Sequence, residues 1–159
     1  MREGLRLLGD QRQVIFASIH EPILAEAEAS DTALARLDNV LSEMDKTGYR
    51  VYAAETHRIR GELLLKCDPA NVGSAEEAFL AAIAVAQKQG ARSFELRAAL
   101  ALARLYHTTG GSADANSTLA PALEGFPPTP AFPEIAEAQA LLATLCEDPA
   151  IKAEAARSE

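Results

Sequence analysis

Residues 90–123 read GARSFELRAALALARLYHTTGGSADANSTLAPAL. Within them Leu96, Ala99, Leu100, Ala103 and Tyr106 recur at spacings of three and four, which lines one face of a helix with a 3.6-residue period. Gly110-Gly111 breaks that pattern. A second pattern follows, with Ser112 as a candidate N-cap, Asp114 in the first turn where negative charge suits the helix dipole, and Ala115, Leu119 and Ala122 on one face. The stretch therefore predicts a helix, a tight turn and an antiparallel helix.

The same order recurs upstream at an offset of 42, the spacing from Gly48 to Gly90. That offset pairs Arg50 with Arg92, Tyr52 with Phe94, Gly61 with Ala103, Leu63 with Leu105 and Leu64 with Tyr106. The second helices repeat too: Ala33, Leu37, Val40; Ala75, Phe79, Ala82; Ala115, Leu119, Ala122 are each small, then large four on, then a third buried-type residue three on. Three copies argue against chance, and an internal repeat decides the fold. The spacing has a mechanical cause. Two helices pack closely only where small residues sit at their crossing and a large one fills the adjacent groove; Gly61 and Ala103 are the small residues of the first helices, with Ala75 and Ala115 facing them.

Extended along the chain, the periodicity predicts seven helices, at roughly 12–29, 31–47, 50–66, 74–89, 92–109, 112–125 and 133–146, with ends placed to about two to four residues. Alanine, leucine and glutamate dominate and no alternating strand pattern occurs, so the class is all-α. Ser74 and Glu77 have the spacing of a capping box, and Pro133 suits a first helical position. Pro22 lies inside the first apolar pattern, where the helix either kinks or begins. Residues 1–11 and 147–159 show no strong burial pattern and read as a frayed segment and a flexible tail.

The set Leu102, Ala103, Tyr106, Ala115, Leu119, Ala122, Pro127 resembles the tetratricopeptide repeat, with Leu119 in place of the second aromatic. The copy Gly61, Leu64, Ala75, Phe79, Ala82 departs by two extra residues between its helices, in CDPANVGS. The first copy has Ala25 as its small residue, only eight positions before Ala33, so its hairpin is shortened by about one turn. The resemblance covers about residues 13–127 and implies a right-handed stack of three antiparallel helical hairpins, at about 12–47, 50–89 and 92–125, forming one domain over 12–146. Helix 133–146, with Glu134, Glu137 and Gln139 beside Ile135, Ala138, Leu141, Leu142 and Leu145, is expected to be the solvating cap. The strings HRIRGELLLKCDPAN and AEEAFLAAIAVAQKQGARSFELRAALALARL are also similar to the C-terminal helical region of large bacterial signalling ATPases, some linked to adenylate cyclase or transcription-regulator domains. The chain has no G-x-x-x-x-G-K loop of its own. Whether it is a module of such a protein or a stand-alone relative is left open by the sequence.

Charge narrows the partners. With 15 basic and 23 acidic side chains the net charge is −8, which disfavours nucleic acid and anionic membrane. The longest apolar run, Phe79 to Ala86, falls far short of the roughly 20 residues of a membrane span, no basic-then-apolar leader is read, and Cys67 and Cys146 form no disulfide framework; a cytoplasmic location is expected. His20, His57 and His107 have no metal-ligand spacing, neither cysteine has a near partner, and no G-x-S-x-G elbow occurs, so neither enzyme activity nor a metal or cofactor is expected.

What the resemblance implies instead is binding in the concave groove lined by the first helices. Carried over position by position, the groove residues are Glu55, Arg58, Glu62 and Lys66 from the second copy and Arg97, Leu100, Arg104 and His107 from the third. Arg58, Lys66, Arg97 and Arg104 would hold an acidic segment or a C-terminal carboxylate of a partner protein, Leu100 would offer an apolar contact and His107 a pH-sensitive one. Two alternatives stand beside this. Arg58 and Glu62, four apart, could simply pair on a solvated face for about 0.3–0.5 kcal/mol, or the stack could serve self-assembly, as a homodimer or within a larger signalling protein.

Overall fold

The computed structural model describes residues 30–127 and 132–147, together with Ala17, Glu21, Pro22, Leu24 and Ala25. Among these residues there is no strand, and six helices are delimited: α1 (Asp31–Thr47), α2 (Ala53–Cys67), α3 (Val72–Gln89), α4 (Arg92–Thr108), α5 (Ser112–Leu123) and α6 (Pro133–Glu147). The chain is all-α and repeat-like. The predicted helix at 12–29 falls mostly outside the described residues, although Ala17, Glu21, Pro22, Leu24 and Ala25 are helical. Residues 1–11 and 148–159 lie outside them altogether.

The turns follow from local chemistry. Gly48 and Gly90 end α1 and α3 with φ of 73° and 66°, the left-handed conformation that costs glycine no Cβ clash. After Gly90 the Ala91 amide donates to the Ala86 carbonyl at 2.9 Å, closing the helix end. At the start of α1 the Ser30 hydroxyl accepts from the Ala33 amide at 3.2 Å. Pro133 is the first residue of α6, as its missing amide proton favours.

Two predicted caps are corrected. α3 begins at Val72, with Asn71 at the N-cap position, so Ser74 and Glu77 lie inside the helix and form no capping box. The reason is the preceding turn: Asp68 accepts from the Ala70 amide at 2.9 Å through its side chain and from the Asn71 amide at 3.0 Å through its carbonyl, which hands the chain into the helix early. Ser112 is likewise the first helical residue, and Gly111 precedes it as N-cap. α2 starts at Ala53, three residues later than predicted, with Tyr52 at the N-cap position making no side-chain capping bond.

Packing repeats with the sequence. The nine residues Ala33, Leu37, Val40, Ala75, Phe79, Ala82, Ala115, Leu119 and Ala122 are all buried, so the small-large-third pattern marks the inward face of α1, α3 and α5 alike. Each helix packs on the next; in addition α4 lies close to both α2 and α6, whereas the backbones of α1, α3 and α5 stay apart from one another among the described residues. The core runs continuously from Ala25, Ala33, Leu37, Ile59 and Leu63 at one end to Ile135, Ala138 and Leu145 at the other. Leu34, Ile83 and Tyr106 bridge successive clusters. The repeat-equivalent rings of Tyr52 and Phe94 lie against each other, centroids 6.3 Å apart and tilted by 53°.

Candidate functional site

The row α2, α4, α6 carries the residues predicted for the groove. Glu55, Arg58 and Glu62 fall on one face of α2 at spacings of three and four, and Arg97 and Arg104 stand two turns apart on α4. Because α4 packs between α2 and α6, all of these but Glu55 converge on one cleft of about 210 Å³, lined by Arg58, Glu62, Arg97, Leu100, Ala101 and Arg104 with Pro133, Glu134 and Glu137 of α6. The structure thus brings together most of the predicted set.

It also pairs them. Arg58, with a side chain only 6% exposed, donates to both Glu55 oxygens at 2.9 and 3.1 Å and to Glu62. Burial alone would lower its pKa, but the hydrogen bonds and charges of Glu55 and Glu62 outweigh that and hold the guanidinium above its ordinary value. Arg97 lies 2.7 Å from Glu55 and 3.5 Å from Glu134, so Glu55 is shared between arginines of two helices. Arg104 is paired with Glu137. Arg58, Arg97 and Arg104 thus each make charge-assisted bonds within the fold. The pairs differ in exposure, however. Arg58 and Glu55 are largely buried, while the side chains of Arg104 and Glu137 are 53% and 51% exposed.

Three further placements differ from the reading of the sequence. Leu100 touches the cleft but is 3% exposed and belongs to the core with Leu96, Ala99 and Leu119, so its contact is spent on packing. Lys66 and His107 are exposed near the C-terminal ends of α2 and α4, outside the residues lining the cleft. Glu134 and Glu137, read as polar residues of a solvating cap, point their carboxylates to α4. The signal for that was present: they stand at the same offset of 42 beyond Arg92 and Glu95, so α6 occupies the register of a further first helix and sits beside α4 as α4 sits beside α2.

A second, apolar cavity of about 300 Å³ adjoins the cleft, formed by Phe94, Leu96, Phe126, Phe132 and Ile135, with Arg97 and Glu134 in the wall common to both. Its far side is held by Arg92, which donates to the carbonyls of Ala122 (3.1 Å) and Glu124 (2.6 Å) at the end of α5 and stacks 5.6 Å from the Phe126 ring centre. Arg92 also pairs with the buried Glu95 at 2.6 Å, which accepts from Gln87 of α3 at 3.0 Å. These bonds fix α3, α4 and α5 around the cavity.

Among the described residues no three or more His, Cys, Asp and Glu side chains are grouped to hold a metal ion, and no helix is long and apolar enough to cross a membrane. His20 lies outside them. Cys67 and Cys146 are both exposed thiols. No protein-family model, curated protein or solved structure matches the chain.

Proposed function

We propose that the chain is a non-enzymatic binding scaffold, a right-handed TPR-like stack whose concave side, formed by α2, α4 and α6, takes an extended segment of a partner protein. The observation that carries this is the cleft itself, open to solvent and walled by Arg97, Arg104, Glu134 and Glu137 from two helices. The close approach of α4 to both α2 and α6, with no like approach of the backbones of α1, α3 and α5, supports a stack that bends with the first row inside. Paired charges of both signs favour a partner that exchanges ion pairs with the wall over one that neutralises bare cations. A cytoplasmic signalling setting in a bacterium accords with the sequence resemblance.

The test is capture of partners from a bacterial lysate by the wild-type chain and by Arg97→Glu/Arg104→Glu, with equal helicity checked by circular dichroism. A protein held by the first and lost by the second supports the groove. Capture of the same proteins by both, or of the chain alone, favours self-assembly, and light scattering would then show a dimer.

A further inference from the structure

We propose that the apolar cavity between α4 and α6 is a binding site for a small neutral aromatic molecule, of one or two rings with a single N–H or O–H, held against Phe94, Phe126 and Phe132. The site does not depend on the groove reading above.

The repeat says where a ring belongs. Tyr52 and Phe94 hold equivalent stations 42 residues apart, and their rings pack with centroids 6.3 Å apart. The next station of that ladder is residue 136 on α6, which is alanine and brings no ring to Phe94. The cavity of about 300 Å³ opens there, where Phe94 and Leu96 of α4 face Ile135 of α6. Phe132 does not fill it, for it stands in the wall and is 66% exposed.

The wall selects by shape and by charge. Aromatic rings attract one another in offset or edge-to-face arrangements beyond what area burial gives, and Phe94, Phe126 and Phe132 all line the cavity. Arg92 lies over the Phe126 ring at 5.6 Å and fixes it before any ligand arrives, which lowers the cost of ordering the site. An apolar cavity of about 150 Å³ suffices for benzene, so this one takes one ring or two fused rings. Arg97 and Glu134, the charged residues of the wall, are 3.5 Å apart and offset each other, and Glu55 holds Arg97 as well at 2.7 Å. A charged ligand would lose its hydration here without gaining an unmatched partner. Ser93 is the uncharged polar side chain among the described lining residues, and its hydroxyl can accept one hydrogen bond from a ring N–H or O–H.

The probe is indole, titrated with the full chain. The chain has no tryptophan, so fluorescence excited at 295 nm reports the ligand, whose emission should move to shorter wavelength and saturate as protein is added. Phe94→Leu and Phe132→Ser should each weaken binding by about two- to tenfold. Phe132 is exposed, so its variant keeps the test valid if circular dichroism shows that Phe94→Leu loses helicity. Ala136→Phe should weaken binding too, because it supplies the ring of that station from the chain itself. Phenol should displace indole at about two- to tenfold lower concentration than cyclohexanol, and benzoate should not displace it. Absence of a saturable shift at millimolar indole overturns the proposal, as does undiminished binding in Phe132→Ser or Ala136→Phe. Displacement by cyclohexanol or benzoate as readily as by phenol overturns it equally.

Discussion

The Phe79 ring of α3 covers Gly61 of α2 so closely that a Cβ built on the glycine would lie 2.6 Å from a ring carbon. Phe79 is 1% exposed and packs in the core with Ala75, Ala78 and Leu102. This is the crossing point of the two helices, and it explains why a residue that is poor in a helix interior stands there.

Gly61→Ala should therefore destabilise the protein by about 1–3 kcal/mol through overpacking, although alanine is worth up to about 1 kcal/mol more than glycine in an exposed helix. Urea denaturation measures this. A smaller residue at the crossing partner should relieve it, so Gly61→Ala should cost less in a Phe79→Leu background than alone. A stabilised Gly61→Ala protein would contradict the crossing geometry.

Removing a buried charge and removing an exposed one should differ. Arg58→Met leaves Glu62 without its guanidinium and Glu55 with that of Arg97 alone, at a largely buried position, for which the expected loss is about 1–3 kcal/mol. Arg104→Met breaks a solvated pair, at a cost within about 1 kcal/mol. Equal losses in chemical denaturation would mean that the Arg58 site is wetter than its burial indicates.

His57 is half-buried in α2, and its pKa is lowered by desolvation first and by the Arg60 charge second, against the weaker pull of Asp45 and Asp38. The folded chain thus takes up a proton less readily than the unfolded chain. Stability from this group is complete above the unfolded value of about 6.5 and is lost as pH falls below it, until the folded pKa is passed. Thermal midpoints between pH 7.5 and 5.5 should fall more steeply for wild type than for His57→Gln, and parallel curves would count against the burial of the ring.

Tyr106 donates to Glu76 of α3 at 2.6 Å, and that bond, with burial second, pushes its phenol up to about 12. Of the three tyrosines it should ionise last when absorbance at 295 nm is followed against pH, and Glu76→Ala should bring it down toward about 10. The folded state holds this proton the more tightly, so the stability it lends is present below the unfolded value of about 10 and disappears as pH rises through about 12. Three coincident titrations would show that the bond does not persist in solution.

Helix class, the turns at Gly48 and Gly90, the start of α6 at Pro133 and all nine inward stations of α1, α3 and α5 were determined by the amino-acid sequence, because each depends on a few neighbouring residues or on a period repeated along one helix. The candidate groove was legible as a set of positions but not as a state of charge. That Arg97 bridges Glu55 and Glu134, that Arg104 meets Glu137, and that Leu100 is spent on the core were decided only by the tertiary structure. A charged side chain reaches several ångströms, and its partner is whichever opposite charge packing brings within that reach; for Arg97 and Glu134 this rests on how α4 and α6 dock, which no spacing along either helix contains.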